Sequence, residues 1–502
     1  MSPPSSGSWL PGGSPWQPSE RRDSAAAQGL SRAGGPGARF ANDAEILSPR
    51  WRYHPGDPTL LLGYHLGQLI GLADDDRHAL TIAGNRAGKG ISLIVPNACL
   101  WPASAVILDP KGELARMTAR ARRQLHGQEV VLLDPFGMSG QQPQGSCNIL
   151  DMIDLNSPFA PADIMILVEA LIATSKDTSN GQYFSAAARN LVTALIVFAK
   201  IKFSRPTLTN VWDLLSGRFG TLAGSMREPS DVFALMLASD ALNGTVRAMA
   251  RTWLEIPYKE QGSILATART ALQFLEGFGH PDAAMARVSA PSSFTPADLK
   301  RKRITVYICL PASYMGVYRA WMRLFVNMVL VAMEMTPTVG GAPVLMLLDE
   351  AATLGYLPML EQAAGLMAGH GVKLWLHFQN LRQIETAYGR NWEAFVSNAG
   401  VSTWFGIGGD AMATDYLTKR LGMTQYYERE EPGGTFMSRA QAGYLQGGPG
   451  KWVSSPLAYG HELELRLARE NGVLLALSPG TPPMILQRNN ILNGFLKGMI
   501  DA

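Results

Sequence analysis

Short, mostly apolar runs recur along the chain, separated by stretches in which apolar and polar positions alternate with helical spacing. His78–Ala83, Ala105–Leu108, Val130–Leu133, Ile304–Leu310, Val344–Leu348, Val372–Phe378 and Val401–Phe405 each read as a strand. The intervening patterns, such as Glu113–Leu125, Tyr318–Met333, Met359–Met367 and Asp410–Leu421, read as helices. Strands apolar on both sides and joined by helices predict a parallel sheet covered on both faces, an α/β fold. Before them, Leu60–Ile70 reads as short strands punctuated by Gly63 and Gly67.

The alternation stops between about Asn148 and Ala297. There the periodicity is helical, as in Phe184–Phe198, Val232–Ala241 and Ile264–Leu275, and no run reads as a strand. So long a detour inside a sheet domain predicts an inserted helical unit rather than a loop. The chain therefore divides into a tail (1–40), a discontinuous sheet domain (41–147 and 298–502) and an inserted all-α domain (148–297). The tail contains 21 Ser, Gly or Pro residues, too few apolar groups to offset its ordering entropy, which predicts disorder. Trp9 and Trp16 read as stray aromatics within it.

At 502 residues, 46% of them apolar and 17% charged, the chain exceeds one ordinary core but is globular in composition. Lys and Arg number 44 against 41 Asp and Glu, a net charge of +3, which excludes coating nucleic acid by bulk charge. Any such contact is local. Cys99, Cys147 and Cys309 form no metal-ligand spacing and no disulfide framework, which suits a reducing cytoplasm. The apolar stretches around Leu191–Ala199 and Leu324–Met333 are shorter than a membrane span requires and read as core helices of a soluble chain.

Chemistry enters at the end of the first parallel strand. Ala83-Gly84-Asn85-Arg86-Ala87-Gly88-Lys89-Gly90-Ile91 lies between a strand and a helix and approximates the phosphate loop G-x-x-x-x-G-K-[ST]. Small residues let backbone amides converge on phosphate oxygens, the helix N-terminus adds positive potential, and Lys89 adds a mobile charge. Gly90 replaces the hydroxyl that binds Mg²⁺, and Ser92 is poorly placed to substitute. Far downstream, Val344–Leu348 runs into Asp349-Glu350, the form of a Walker B strand. In that reading Asp349 holds Mg²⁺, through water, and Glu350 is the general base. Gln379, at the end of the Val372–Phe378 strand, is placed to sense a γ-phosphate. His377 reads as a satisfied core histidine.

Together these residues resemble the type IV secretion coupling proteins, the TraG/TraD-type ATPases of conjugative DNA transfer. The likeness extends to Val95-Pro96-Asn97, Trp101-Pro102, Asp109-Pro110-Lys111-Gly112-Glu113, Asp134-Pro135-Phe136, Leu354-Gly355 and His377-Phe378-Gln379-Asn380-Leu381. It implies a RecA-like P-loop NTPase domain of the FtsK/HerA kind interrupted by an all-α domain. It also implies a homo-hexameric ring that uses ATP and Mg²⁺ to pass relaxase-bound single-stranded DNA, or effector protein, into a type IV channel at the bacterial inner membrane. By the same resemblance Lys89, Asp349, Glu350 and Gln379 carry the Walker A, Walker B, catalytic and sensor roles, and Lys111 and Glu113 have none assigned.

The departures are an expected tail where many members have two membrane helices, so that partners would supply the membrane contact, and a segment Gly365–Gly371 without arginine. Arg116, Arg120, Arg122 and Arg123 read as a solvated basic face. Lys300–Arg303 reads equally as surface charge or phosphate contact, and Tyr426–Gly450 as a mobile surface loop. A duplex-DNA translocase and a nucleotide-binding recognition adaptor without turnover stay open as alternatives.

Overall fold

The parallel strands owe their depth to their sequences: every residue of Ala79–Ala83 (β3), Ala105–Asp109 (β4), Ile304–Cys309 (β6), Val344–Leu348 (β7), Val372–Phe378 (β8) and Val401–Phe405 (β9) is buried. In a computed structural model, which describes residues 37–73, 75–172, 179–218, 229–277, 280, 282–337, 342–429 and 450–491, they form the middle of an 11-stranded sheet. The remaining strands are Leu60–His65 (β1), Gln68–Leu72 (β2), Glu129–Leu133 (β5), Val473–Leu477 (β12) and Met484–Gln487 (β13). Their order is β2-β1-β13-β12-β9-β3-β8-β7-β4-β6-β5. The run β9-β3-β8-β7-β4-β6-β5 is parallel throughout, and β12, β13, β1 and β2 extend it by antiparallel pairing. A separate hairpin pairs Met423–Arg429 (β10) with Gly450–Pro456 (β11).

Period-two alternation sends successive side chains to opposite faces. Leu80 and Ile82 join one apolar cluster, which runs on into the helices between β5 and β6 and into Met315–Met335; Ala79 and Ala83 join the other, with Trp51, Trp101 and Leu114. Among the described residues the stretch from β5 to β6 holds helices and no strand. The longer ones are Ala160–Leu171, Ser179–Lys202, Leu208–Ser216, Thr245–Leu254 and Tyr258–Leu272. Gly181–Lys202 is long and apolar enough by composition to cross a membrane, yet over half of its most apolar window (56%) is buried among its neighbours. The chain enters and leaves this helical stretch through a hydrogen-bonded neck, where Cys147 N donates to Val288 O at 2.8 Å and Ser293 N to Ser146 O at 3.0 Å.

The phosphate loop leads into Val95–Leu100 (α1), against which Glu113–His126 (α2) packs. A π-helical turn, Gly90–Ile94, precedes α1. Pro96 has no N–H for the carbonyl four residues back and its ring crowds that carbonyl, and a widened turn relieves both. Asn97 ties this helix to β1: its amide accepts from Leu61 N at 2.7 Å and donates to Leu61 O and Leu93 O, each at 2.8 Å.

Several surface readings are corrected by packing. Arg122 belongs to no solvated face. It is fully buried and donates to the carbonyls of Trp101 and Ala103, to Thr305 Oγ1 at 2.9 Å and to Gln128 Oε1 at 2.8 Å. Lys300 is likewise committed, donating to Met333 O at 2.5 Å and Thr336 O at 2.6 Å, where it closes a helix C-terminus. Tyr426 and Tyr427 lie in β10 rather than in a loop; residues 430–449 and the tail to residue 36 lie outside the described residues.

Candidate functional site

β8 separates β3 from β7, so three adjacent parallel strands deliver the phosphate loop, the Asp349-Glu350 pair and Gln379 to one edge of the sheet. That edge is the carboxyl end of the strands, where open α/β sheets bind ligands.

The phosphate loop is held by close approach of backbones. A Cβ on Gly84 would lie 2.2 Å from Gly406 O, and one on Gly406 would lie 2.3 Å from the Cβ of Ala87. Arg86 and Gly88 both have positive φ, +56° and +93°, the kind of backbone reversal that turns successive amides inward. Asn85 and Arg86 are exposed, Ala83 and Ala87 buried, and Gly84, Gly88, Lys89 and Gly90 intermediate; Ile91 is exposed at the start of the π turn. Ser92 Oγ donates to Gly88 O at 2.7 Å, so its hydroxyl is tied to the backbone of the loop.

Lys89 Nζ lies 3.0 Å from Asp349 Oδ1 and 3.0 Å from Glu350 Oε1. The contact with Glu350 is a hydrogen bond. Asp349 Oδ1 is buried without a well-angled donor, so charge rather than directed bonding holds that partner. Burial pulls the Lys89 pKa down, but attraction to Asp349 and Glu350 outweighs it and keeps the ammonium above its ordinary value. Burial raises the Asp349 pKa against the opposing pull of Lys89. Gln379 Nε2 donates to both Glu350 oxygens at 2.8 Å, so this residue is more than a strand-end turn. Glu350 itself sits in the left-handed region, φ 57° and ψ 50°, a conformation that costs a non-glycine residue about 1–2 kcal/mol.

His377 is buried as expected but is not satisfied: among the described residues neither ring nitrogen has a hydrogen-bond partner. Burial, and then the charge of Lys89, drives its pKa well below the ordinary value, so the ring is neutral. The unassigned motifs turn out to build turns. Asp109 accepts from Ala115 N at 2.8 Å and Lys111 N at 3.3 Å, and burial lifts its pKa to about 6. Asp134 accepts from Met138 N, Ser139 N and Ser139 Oγ at 2.7–3.0 Å. A Cβ on Gly112 would meet the backbone of Met138 and Ser139 at 2.9 Å, so these two turns pack on one another.

Sequence reasoning missed Phe405-Gly406, at the end of parallel strand β9, and Arg488, just beyond antiparallel strand β13, which brace the phosphate loop. Arg488 is 401 residues from its partner Ala87, and no local pattern marks it.

Oxygen donors for a hard cation are present but few. Asp349 offers a buried carboxylate oxygen with no directed hydrogen bond; position 90 has no hydroxyl, and that of Ser92 is engaged. This set fits Mg²⁺ in the mode that keeps most of its water and takes its other ligands from phosphate.

Residues 40–432 match the family described as Type IV secretory system Conjugative DNA transfer. The chain is 30% identical over 344 residues to the conjugal transfer protein TraG of Escherichia coli, which covers 64% of this chain and 52% of that protein. It is 27% identical over 336 residues to the type IV secretion system-coupling protein VirD4 of Bartonella henselae, covering 65% and 49%. The chain thus spans about half the length of these relatives. Among solved structures, the bacterial conjugative coupling protein TrwBdeltaN70 aligns with a TM-score of 0.62 at 14% identity, over 92% of this chain and 96% of that one. The plasmid coupling protein TrwB in complex with the non-hydrolysable ATP analogue ADPNP aligns with a TM-score of 0.59 at 15% identity, over 92% and 96%. Likeness at this identity shows the fold alone, the α/β fold of these coupling-protein structures.

Proposed function

The chain belongs to the type IV secretory system conjugative DNA transfer family, and from that premise we propose that it is an ATP-driven coupling protein. In this reading it recruits DNA, as a relaxase-bound single strand, or effector protein and drives it, as a homo-hexamer, into a type IV channel at the inner membrane. The sheet domain (41–147 and 298–502) is the motor, and the helical insertion (148–297) is the unit that recognises cargo. One observation carries the reading: Lys89 touches both Asp349 and Glu350 within one edge of a parallel sheet, and Gln379 holds Glu350 by both oxygens.

The chemistry assigned to these residues is hydrolysis of ATP to ADP and phosphate. Loop amides and Lys89 bind the β- and γ-phosphates and stabilise charge that develops on them. Glu350, oriented by Gln379, accepts the proton of the attacking water. Asp349 would hold Mg²⁺ through its water shell, and that ion supplies neutralisation of phosphate charge. Gln379 bridges strand β8 to the Walker B turn, so a change at the γ-phosphate is felt by the helix that follows, Leu381–Tyr388.

The deciding measurement is ATPase activity of wild type and Lys89→Ala with single-stranded DNA, duplex DNA and no DNA. Turnover stimulated by single strands and lost in the variant is expected. Equal stimulation by duplex would mark a duplex translocase instead. Tight ATP binding without turnover in the wild type would overturn the motor in favour of a recognition adaptor.

A further inference from the structure

The antiparallel side of the sheet reaches back to the phosphate loop through one residue. Arg488, just beyond β13, donates from Nη1 to the carbonyl of Ala87 and from Nη2 to the carbonyl of Arg469. Its guanidinium lies 4.9 Å from the ring centroid of Phe405, the last residue of β9. Three residues on, Ile491 N donates to Ile91 O at 3.4 Å, in the π turn that follows the loop. A side chain on Gly88 would begin 3.4 Å from Arg488 Nη1, so the cation lies directly against the loop.

A peptide unit is planar and trans, so its C=O and N–H point in opposite directions. Holding the Ala87 carbonyl on the guanidinium therefore turns the Gly88 N–H to the opposite side of the peptide, away from Arg488. Gly88 has φ +93°, which this orientation of the peptide needs and a side chain would resist. Among the described residues the Gly88 N–H donates to no protein group. The cation also polarises the peptide in the sense that strengthens its N–H as a donor to an anion.

We infer that Arg488 is a positioning residue of the nucleotide site: it presets the Ala87–Gly88 peptide so that the Gly88 amide faces the phosphates of a nucleoside di- or triphosphate. The inference rests on the nucleotide-binding reading above. It makes β12 and β13, which carry none of the motifs, a working part of that site. A planar, multi-donor guanidinium suits this place better than an ammonium, because its fixed fork meets two carbonyls while its plane meets the ring face.

The test compares wild type with Arg488→Gln and Arg488→Lys in the full chain, by titration with Mg-ADP and Mg-ATP and by amide hydrogen exchange of the peptide spanning residues 84–91. Loss of a charge-assisted hydrogen bond to the loop is expected to weaken both nucleotides by roughly tenfold or more in Arg488→Gln, with a smaller loss in Arg488→Lys. Exchange at residues 88–90 rises in both, and kcat falls by less than KM rises. Affinity within about twofold of wild type in a folded variant overturns the proposal, even with faster exchange, because the arginine is then a structural brace only. If Arg488→Gln does not fold, Arg488→Lys carries the same comparison. A wild-type chain that binds neither nucleotide overturns the nucleotide reading itself, an outcome distinct from selective loss in the variants.

Discussion

Glu350 concentrates the chemistry of the site in one residue: it is paired with Lys89, held through both oxygens by Gln379, and kept in a left-handed backbone conformation. Glu350→Gln removes the proton acceptor while preserving shape. Nucleotide affinity should stay near wild type while turnover drops by about 10²–10⁴-fold, the span expected of a general base; single-turnover kinetics would show whether the loss lies in the chemical step. Arg122 shows the opposite lesson. In the sequence it is one of four arginines on a helix, and nothing distinguishes it from Arg116 or Arg120. Folding buries it against four acceptors, so Arg122→Met should cost about 3 kcal/mol or more in a denaturant titration.

The buried histidines add an acid-side effect. Burial lowers the pKa of His377 and His78, and of His126 to about 4. Below the ordinary value of 6.5 the unfolded chain binds protons that the folded chain refuses, so stability falls as pH falls, by at most about 1.4 kcal/mol per unit for each such group. His377→Gln should lessen that slope between pH 6.5 and 5; an unchanged slope would show that His377 is protonated in the fold.

Elements divide by how their burial is written in the sequence. β3, β4 and β6 to β9 were legible because strands covered on both faces are mostly apolar along their length, even where a buried Thr81, Lys373 or Ser402 interrupts them. β12 and β13 were not: they are 5 and 4 residues long, and their burial is broken by half-exposed positions. The helix after the phosphate loop was expected, but its π turn was not, since periodicity cannot register a one-residue widening caused by Pro96. The site residues were legible as motifs, whereas their brace was not, because Gly406 acts through close backbone approach and Arg488 through a carbonyl 401 residues away, neither of which leaves a local pattern. Gly406 tests the brace at element scale. Its φ is +60° and a Cβ there would overlap that of Ala87, so Gly406→Ala should push β9 off the phosphate loop. The expected result is nucleotide affinity lowered by tenfold or more, about 1.4 kcal/mol, with the rest of the fold intact by circular dichroism.

At the scale of the whole molecule, the site is assembled from distant parts of one chain: Lys89 and Glu350 are 261 residues apart. If the proposed hexamer is the working form, ATPase activity per chain should rise with protein concentration across the range in which light scattering reports assembly. A flat profile would make the single chain the active unit.

Strand order also governs how the protein is born. β3, which leads into the phosphate loop, has only β8 and β9 as neighbours in the sheet, and β8 begins at Val372, 289 residues after β3 ends at Ala83. At about 5–20 residues per second on the ribosome, the phosphate-loop strand therefore waits roughly 15–60 s for a partner. Through that interval the nascent chain carries an apolar strand with both edges open, the form most prone to illicit pairing. Truncated chains that end before β8 should accordingly depend on holdase chaperones and be cleared by proteases, so that only completed chains acquire the means to consume nucleotide.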